Sequence, residues 1–124
     1  MQNGKMKRKM INKDIDICLT VNQALKVDNI IYQYSGLIRS ICTEEYRKQL
    51  DIIKSKLYDI LQQEPYNDSL YYIKFTQTEI SLIFDILNKY KYMVHDIIPK
   101  PDVIYISDIM YDIRYQLVTE GEDI

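Results

Sequence analysis

The chain has one histidine, His95, and two cysteines, Cys18 and Cys42. With the carboxylates, these are the groups that could carry catalysis or hold a metal. A zinc site needs Cys, His and carboxylate ligands brought close together. His95 has only Asp96 beside it, and both cysteines lie in the other half of the chain. A nucleophilic thiol would need His95 as its base, and no motif links Cys18 or Cys42 to it. His95 reads instead as a residue near a helix end, where the helix dipole favours its cationic form. Asp102, Asp108 and Asp112 share one helical stretch but lack the alternating ligand pattern of a calcium loop. They read as a solvated acidic face. Gly4, Gly36 and Gly121 are scattered, so no phosphate loop or dinucleotide fingerprint forms. The expectation is a non-enzyme with no catalytic residue, no metal and no cofactor.

Recognition chemistry is better represented. The chain has twelve Tyr and no Trp. Tyr34, Tyr46 and Tyr90 follow core stripes, whereas Tyr32, Tyr58, Tyr66, Tyr72, Tyr92, Tyr105, Tyr111 and Tyr115 are less easily all buried. An exposed Tyr offers rigid contact area with a hydrogen-bonding tip, a common feature of protein interfaces. Residues 1–64 carry 11 basic and 8 acidic groups, and residues 65–124 carry 5 basic and 10 acidic. The second half is therefore acidic and studded with Tyr, which suits docking on a basic protein surface. The candidate partner-binding set is Tyr92, Tyr105, Asp108, Tyr111, Asp112 and Tyr115. The alternative is a small nucleic-acid-binding regulator that neutralises phosphates with Lys5, Lys7, Arg8, Lys9 and Lys13. The plainer reading of that arm is a solvated terminus.

These residues must be positioned by one ordinary domain. A chain of 124 residues with a formal charge of -2 excludes a histone-like polycation and a polyanionic tail protein. Two cysteines cannot staple a secreted scaffold, and both sit in apolar patterns that read as buried, reduced thiols. No signal-peptide core follows the charged start, and no run approaches the ~18 apolar residues of a membrane span. The expectation is a soluble protein of the cytoplasm.

The chain repeats its apolar pattern at an offset of 56 residues, without a gap. Ile17, Thr20, Ile30 and Tyr34 fall on Ile73, Thr76, Ile86 and Tyr90. Each unit opens with a short alternating segment, residues 14–19 and 70–75, which predicts a strand with one buried face. A capping box follows, Thr20 with Gln23 and Thr76 with Glu79. The first helices carry the stripes Ala24, Val27, Ile30, Ile31, Tyr34, Leu37, Ile38, Ile41 and Ile80, Ile83, Ile86, Leu87, Tyr90, Met93, Val94, Ile97. Gly36 interrupts the first of them and suggests a bend or a close packing contact. Thr43 can cap the next helix, with Glu44 and Glu45 in its first turn. In the second unit Pro99 ends one helix, and Pro101 or Asp102 begins the next. The fold class is mainly α with a minor two-stranded ribbon (α+β), arranged as a pseudo-symmetric β-α-α-β-α-α repeat. The units span 14–61 and 70–117 within one domain, 14–118. A polar linker covers 62–69, a basic arm 1–13 and an acidic tail 119–124.

In its Ile-, Lys-, Asn- and Tyr-heavy style and its strand-then-helix openings ICLTVNQ and IKFTQTE, the chain resembles the small accessory proteins of phages and mobile elements of low-GC Gram-positive bacteria. That resemblance implies a protein that binds a host protein. Anti-CRISPR and other anti-defence inhibitors belong to this group. With the lack of catalytic groups and the Tyr-rich acidic half, the expected partner is a bacterial nucleic-acid-guided nuclease in the host-cell cytoplasm. The chain is expected to act as a monomer or homodimer with no membrane involved.

Overall fold

The alternation of Ile15, Ile17 and Leu19 becomes strand β1 (Asp14–Thr20) in the computed structural model, which describes residues 14–38, 41–62 and 70–119. Strand β2 (Leu70–Thr76) pairs with it antiparallel, Asp14 opposite Thr76 and Ile17 opposite Ile73. The side-chain period of two puts Ile15, Ile17, Leu19, Ile73 and Phe75 on the buried face. The opposite face carries Asp14, Asp16, Tyr72 and Lys74 outward, with a 3.1 Å ion pair from Lys74 to Asp16. Both partners of that pair are exposed, so it contributes little.

Four helices cover the buried face: α1 (Val21–Ile38), α2 (Glu44–Leu61), α3 (Gln77–Val94) and α4 (Lys100–Thr119). The sheet has only two strands, so these helices supply most of the core. The two first helices begin at capping boxes. The Gln23 amide donates to Thr20 Oγ1 at 3.0 Å and the Gln23 side chain accepts from the Thr20 amide at 3.0 Å. Thr76 and Glu79 repeat this at 3.1 and 2.9 Å. Thr43 caps α2 by accepting from the Tyr46 amide at 3.1 Å. Helix α4 starts at Lys100, with Pro101 in its first turn, where a missing N–H costs nothing.

The element bounds recur at an offset of 56: strands begin at 14 and 70, first helices at 21 and 77, second helices at 44 and 100. The second helix of each half packs against the strand of the other half, α2 on β2 and α4 on β1. One polar contact shows this well. The Cys18 amide donates to Gln116 Oε1 at 2.7 Å, and Gln116 Nε2 donates to the Cys18 carbonyl at 2.9 Å. A side-chain amide from α4 thus closes that stretch of the outer edge of β1, which would otherwise invite another strand.

Three sequence expectations are corrected. Leu37, Ile41, Met93 and Ile97 continue the apolar stripes but are exposed, because at the ends of α1 and α3 and in the connections that follow only some positions, such as Ile38 and Ile98, still meet the core. Helix α1 runs through Gly36 to Ile38, and nothing lies within 4 Å of the position a Cβ would take there. Gly36 therefore makes no close packing contact. Cys18 and Cys42 form no disulfide, but each is half-buried rather than buried.

Candidate interaction surface

Helix α4 is apolar on two faces. Ile106, Ile109, Ile113 and Leu117 step by three and four residues and are buried against the core. Ile104, Tyr111, Tyr115 and Val118 lie on another side and are 57, 68, 60 and 66% exposed. Asp108 joins them, so the outward residues follow steps of four, three, four and three. That spacing keeps a straight seam on one helix face, the pattern by which one helix meets another. The rings of Tyr111 and Tyr115 stack on each other, centroids 6.5 Å apart and planes within 15° of parallel.

The helix is held so that this seam faces out. On one flank Gln23 Nε2 of α1 donates to Asp112 Oδ2 at 2.9 Å, and Gln116 clamps β1. On the other flank the Arg114 guanidinium lies 5.6 Å from the centre of the Phe84 ring of α3. A cation over an aromatic face is attracted by the ring quadrupole. Side chains of α1 and α3 and the backbone of β1 thus fix the rotation of α4 about its own axis.

The structure divides the candidate set. Asp108, Tyr111 and Tyr115 come together on the seam. Asp112 is exposed, but its carboxylate is engaged by Gln23, so it positions α4. Tyr105 is half-buried and packs on the core, where burial pushes its hydroxyl pKa up. It stands across a shallow groove from Leu25, Lys26 and Tyr32 of α1. Tyr92 is 79% exposed on α3, with its ring 5.7 Å from that of His95. It is separate from the α4 seam in its placement on the fold.

Ile104 and Val118 are seam residues that the reading of Tyr and Asp missed. Their signal was in the sequence, as a second apolar periodicity on the side of α4 away from the core stripe. His95 sits at the C-terminal end of α3, its Nδ1 2.6 Å from the Tyr92 carbonyl oxygen, which can only accept. Nδ1 therefore carries the proton. Among the described residues no group of three or more His, Cys, Asp or Glu side chains comes together as a metal site. Nor is any helix there long and apolar enough to cross a membrane. The basic arm, Lys5, Lys7, Arg8, Lys9 and Lys13, lies outside the described residues, as does the tail from 120 onward.

No family model, no curated protein and no solved structure matches the chain.

Proposed function

We propose that the chain is a non-enzymatic protein-binding module, an intracellular inhibitor of the kind phages and mobile elements direct against bacterial defence nucleases. It docks through the outward seam of α4. The observation that supports this reading is the exposure of Ile104, Tyr111, Tyr115 and Val118 in one line on a helix already anchored by its opposite face. Exposed apolar side chains aligned on one helix face are a feature of interaction sites. A partner groove that accepts them gains their burial, and Asp108 supplies a charged group inside the contact. The acidic second half favours a basic surface, such as the nucleic-acid channel of a guided nuclease.

The test is a cleavage assay with purified CRISPR effector nucleases, alongside capture from bacterial lysate with mass spectrometry. The wild-type chain is expected to lower cleavage by one such enzyme, and Tyr111→Arg with Tyr115→Arg to abolish both inhibition and capture. Unchanged capture by that double variant would remove the seam from the reading.

The two halves are read as structurally equivalent units. The recurrence of element bounds at an offset of 56 supports this. Superposing residues 14–61 on 70–117 tests it.

A further inference from the structure

Gly36 is a residue without a local reason. It sits near the end of α1 in ordinary helical conformation, so no left-handed backbone requires it. A Cβ at this position would meet nothing within 4 Å, so no neighbour requires it either. A glycine inside a helix costs about 1 kcal/mol relative to alanine. What the missing side chain provides is space. Gly36 forms part of the wall of a cleft of about 620 Å³ between the last turns of α1 and the first half of α2. That volume is in the range of small-molecule sites, about 300–1,000 Å³.

The cleft is lined by a graded set of groups. Arg47 holds only a long 3.4 Å contact from Nη2 to the Cys42 carbonyl, which leaves most of its donors unspent. Asp51 follows one turn later, and Lys54 one turn after that. Residues 47, 51 and 54 share a helix face, so the backbone positions of the two cationic residues stand roughly 10 Å apart along the axis with that of a carboxylate between them. Lys54 Nζ lies 5.4 Å from the centre of the Tyr32 ring, and Tyr32 is exposed. Among the described residues neither cation forms an ion pair within 4 Å, and Asp28 of α1 lies near enough to Lys54 for the two charges to attract. The set is not a by-product of the repeat. At the offset of 56, Val103, Ser107, Met110 and Tyr92 stand where Arg47, Asp51, Lys54 and Gly36 stand in the first half.

The order of these groups specifies a ligand. A bare polyanion would meet Asp51 in the middle of the cleft and be repelled. A ligand with an anionic end, hydroxyl or amino donors in its middle and a flat ring at its far end satisfies every group in turn. We infer that this cleft binds a nucleoside monophosphate. Its phosphate lies on Arg47, its sugar hydroxyls donate to Asp51, and its base stacks at Tyr32 beside Lys54. Arginine matches phosphate geometry with paired donors, and base–aromatic stacking tolerates any base. The inference does not rest on the α4 seam.

The experiment is a titration of the full chain, followed by amide chemical shifts and calorimetry, with AMP, GMP, CMP and UMP. Adenosine alone and inorganic phosphate alone are the controls. The expected result is saturable monophosphate binding, with shifts centred on residues 32–37 and 47–54 and at least tenfold weaker binding of both controls. Gly36→Trp fills the open cleft, and Arg47→Glu reverses its anion-binding end. Each should weaken binding at least tenfold while the helical circular dichroism is retained. Failure of all four nucleotides to shift these residues would overturn the inference, as would Gly36→Trp binding like the wild type. Tighter binding of a short single-stranded oligonucleotide, with shifts outside the cleft, would overturn it in favour of a strand-binding surface. Because Gly36→Trp leaves α4 untouched, its effect on nuclease inhibition reports separately on the seam.

Discussion

Lys56 of α2 donates to Glu79 Oε1 in the first turn of α3 at 2.7 Å, and the Glu79 side chain is only 9% exposed. The same oxygen accepts from the Thr76 amide, so one atom closes the capping box and ties the two halves together. The corresponding link in the other direction runs from Gln23, the box residue of α1, to Asp112 of α4. Residues 56 and 112 are 56 apart, the offset at which the element starts recur, and the donor and acceptor roles are exchanged between the two links. The halves are therefore interlocked by polar contacts as well as by the shared core.

Glu79→Gln should keep the capping box, because Gln23 closes the equivalent box with a neutral amide. It loses the charge that Lys56 pairs with, and the expected cost is about 1 kcal/mol. Glu79→Ala removes the box as well and leaves the Thr76 amide without its acceptor, for about 2–3 kcal/mol in all. Urea denaturation of the two variants measures this difference. Equal losses would show that the box itself contributes nothing.

The two faces of α4 should respond oppositely to substitution. Ile109→Ala opens a cavity in the core and should cost about 2–5 kcal/mol. Tyr111→Arg on the seam should change stability by no more than about 0.5 kcal/mol and should remove partner capture. Thermal melts with a capture assay on the same preparations separate the outcomes. A seam variant that unfolds the protein would show that Tyr111 supports the fold.

Capping boxes and strand alternation are readable because each is a local pattern with a local cause. Thr20 and Gln23 need only be three residues apart to close a box. Exposure is not local in this sense. Leu37 and Met93 continue their stripes in perfect phase, yet periodicity reports which face a residue occupies and not whether anything lies opposite. The α4 seam is legible in part, since Tyr111 and Tyr115 fall off the core stripe, and Ile104 and Val118 continue the same second periodicity. Gly36 suggests a bend or a close packing contact because glycine in a helix usually needs a reason, and here nothing lies within 4 Å of it and it borders an opening. Lys56–Glu79 and Gln116–Cys18 join residues 23 and 98 apart in sequence, and nothing in their immediate neighbours announces either pairing.

Gly36→Ala should stabilise the chain. The position is helical and open, so alanine adds no clash and reduces the entropy that α1 loses on folding. The gain expected is up to about 1 kcal/mol, or a rise in melting temperature of ~4 °C. Differential scanning calorimetry decides it. A loss of stability would mean that the cleft wall does not tolerate even a methyl group.

Asp28 of α1 gives a pH-dependent signature. Burial raises its pKa above the ordinary 3.8, and the nearby Lys54 charge lowers it but does not offset the burial. A carboxyl with a raised pKa in the folded state holds its proton more tightly folded than unfolded. Stability from this group is therefore fully present below pH 3.8 and is lost as pH rises through the higher folded value. At neutral pH the charged Asp28 is a small net cost, moderated because the group is partly solvated. Asp28→Asn should thus be more stable than the wild type at pH 7, and the difference should vanish as the pH falls below about 4. Chemical denaturation at pH 3.5, 5 and 7 follows the difference directly. If Asp28→Asn is instead less stable at pH 7 and regains parity in acid, the Lys54 attraction outweighs burial, and Lys54 is held by Asp28 rather than left available to the cleft.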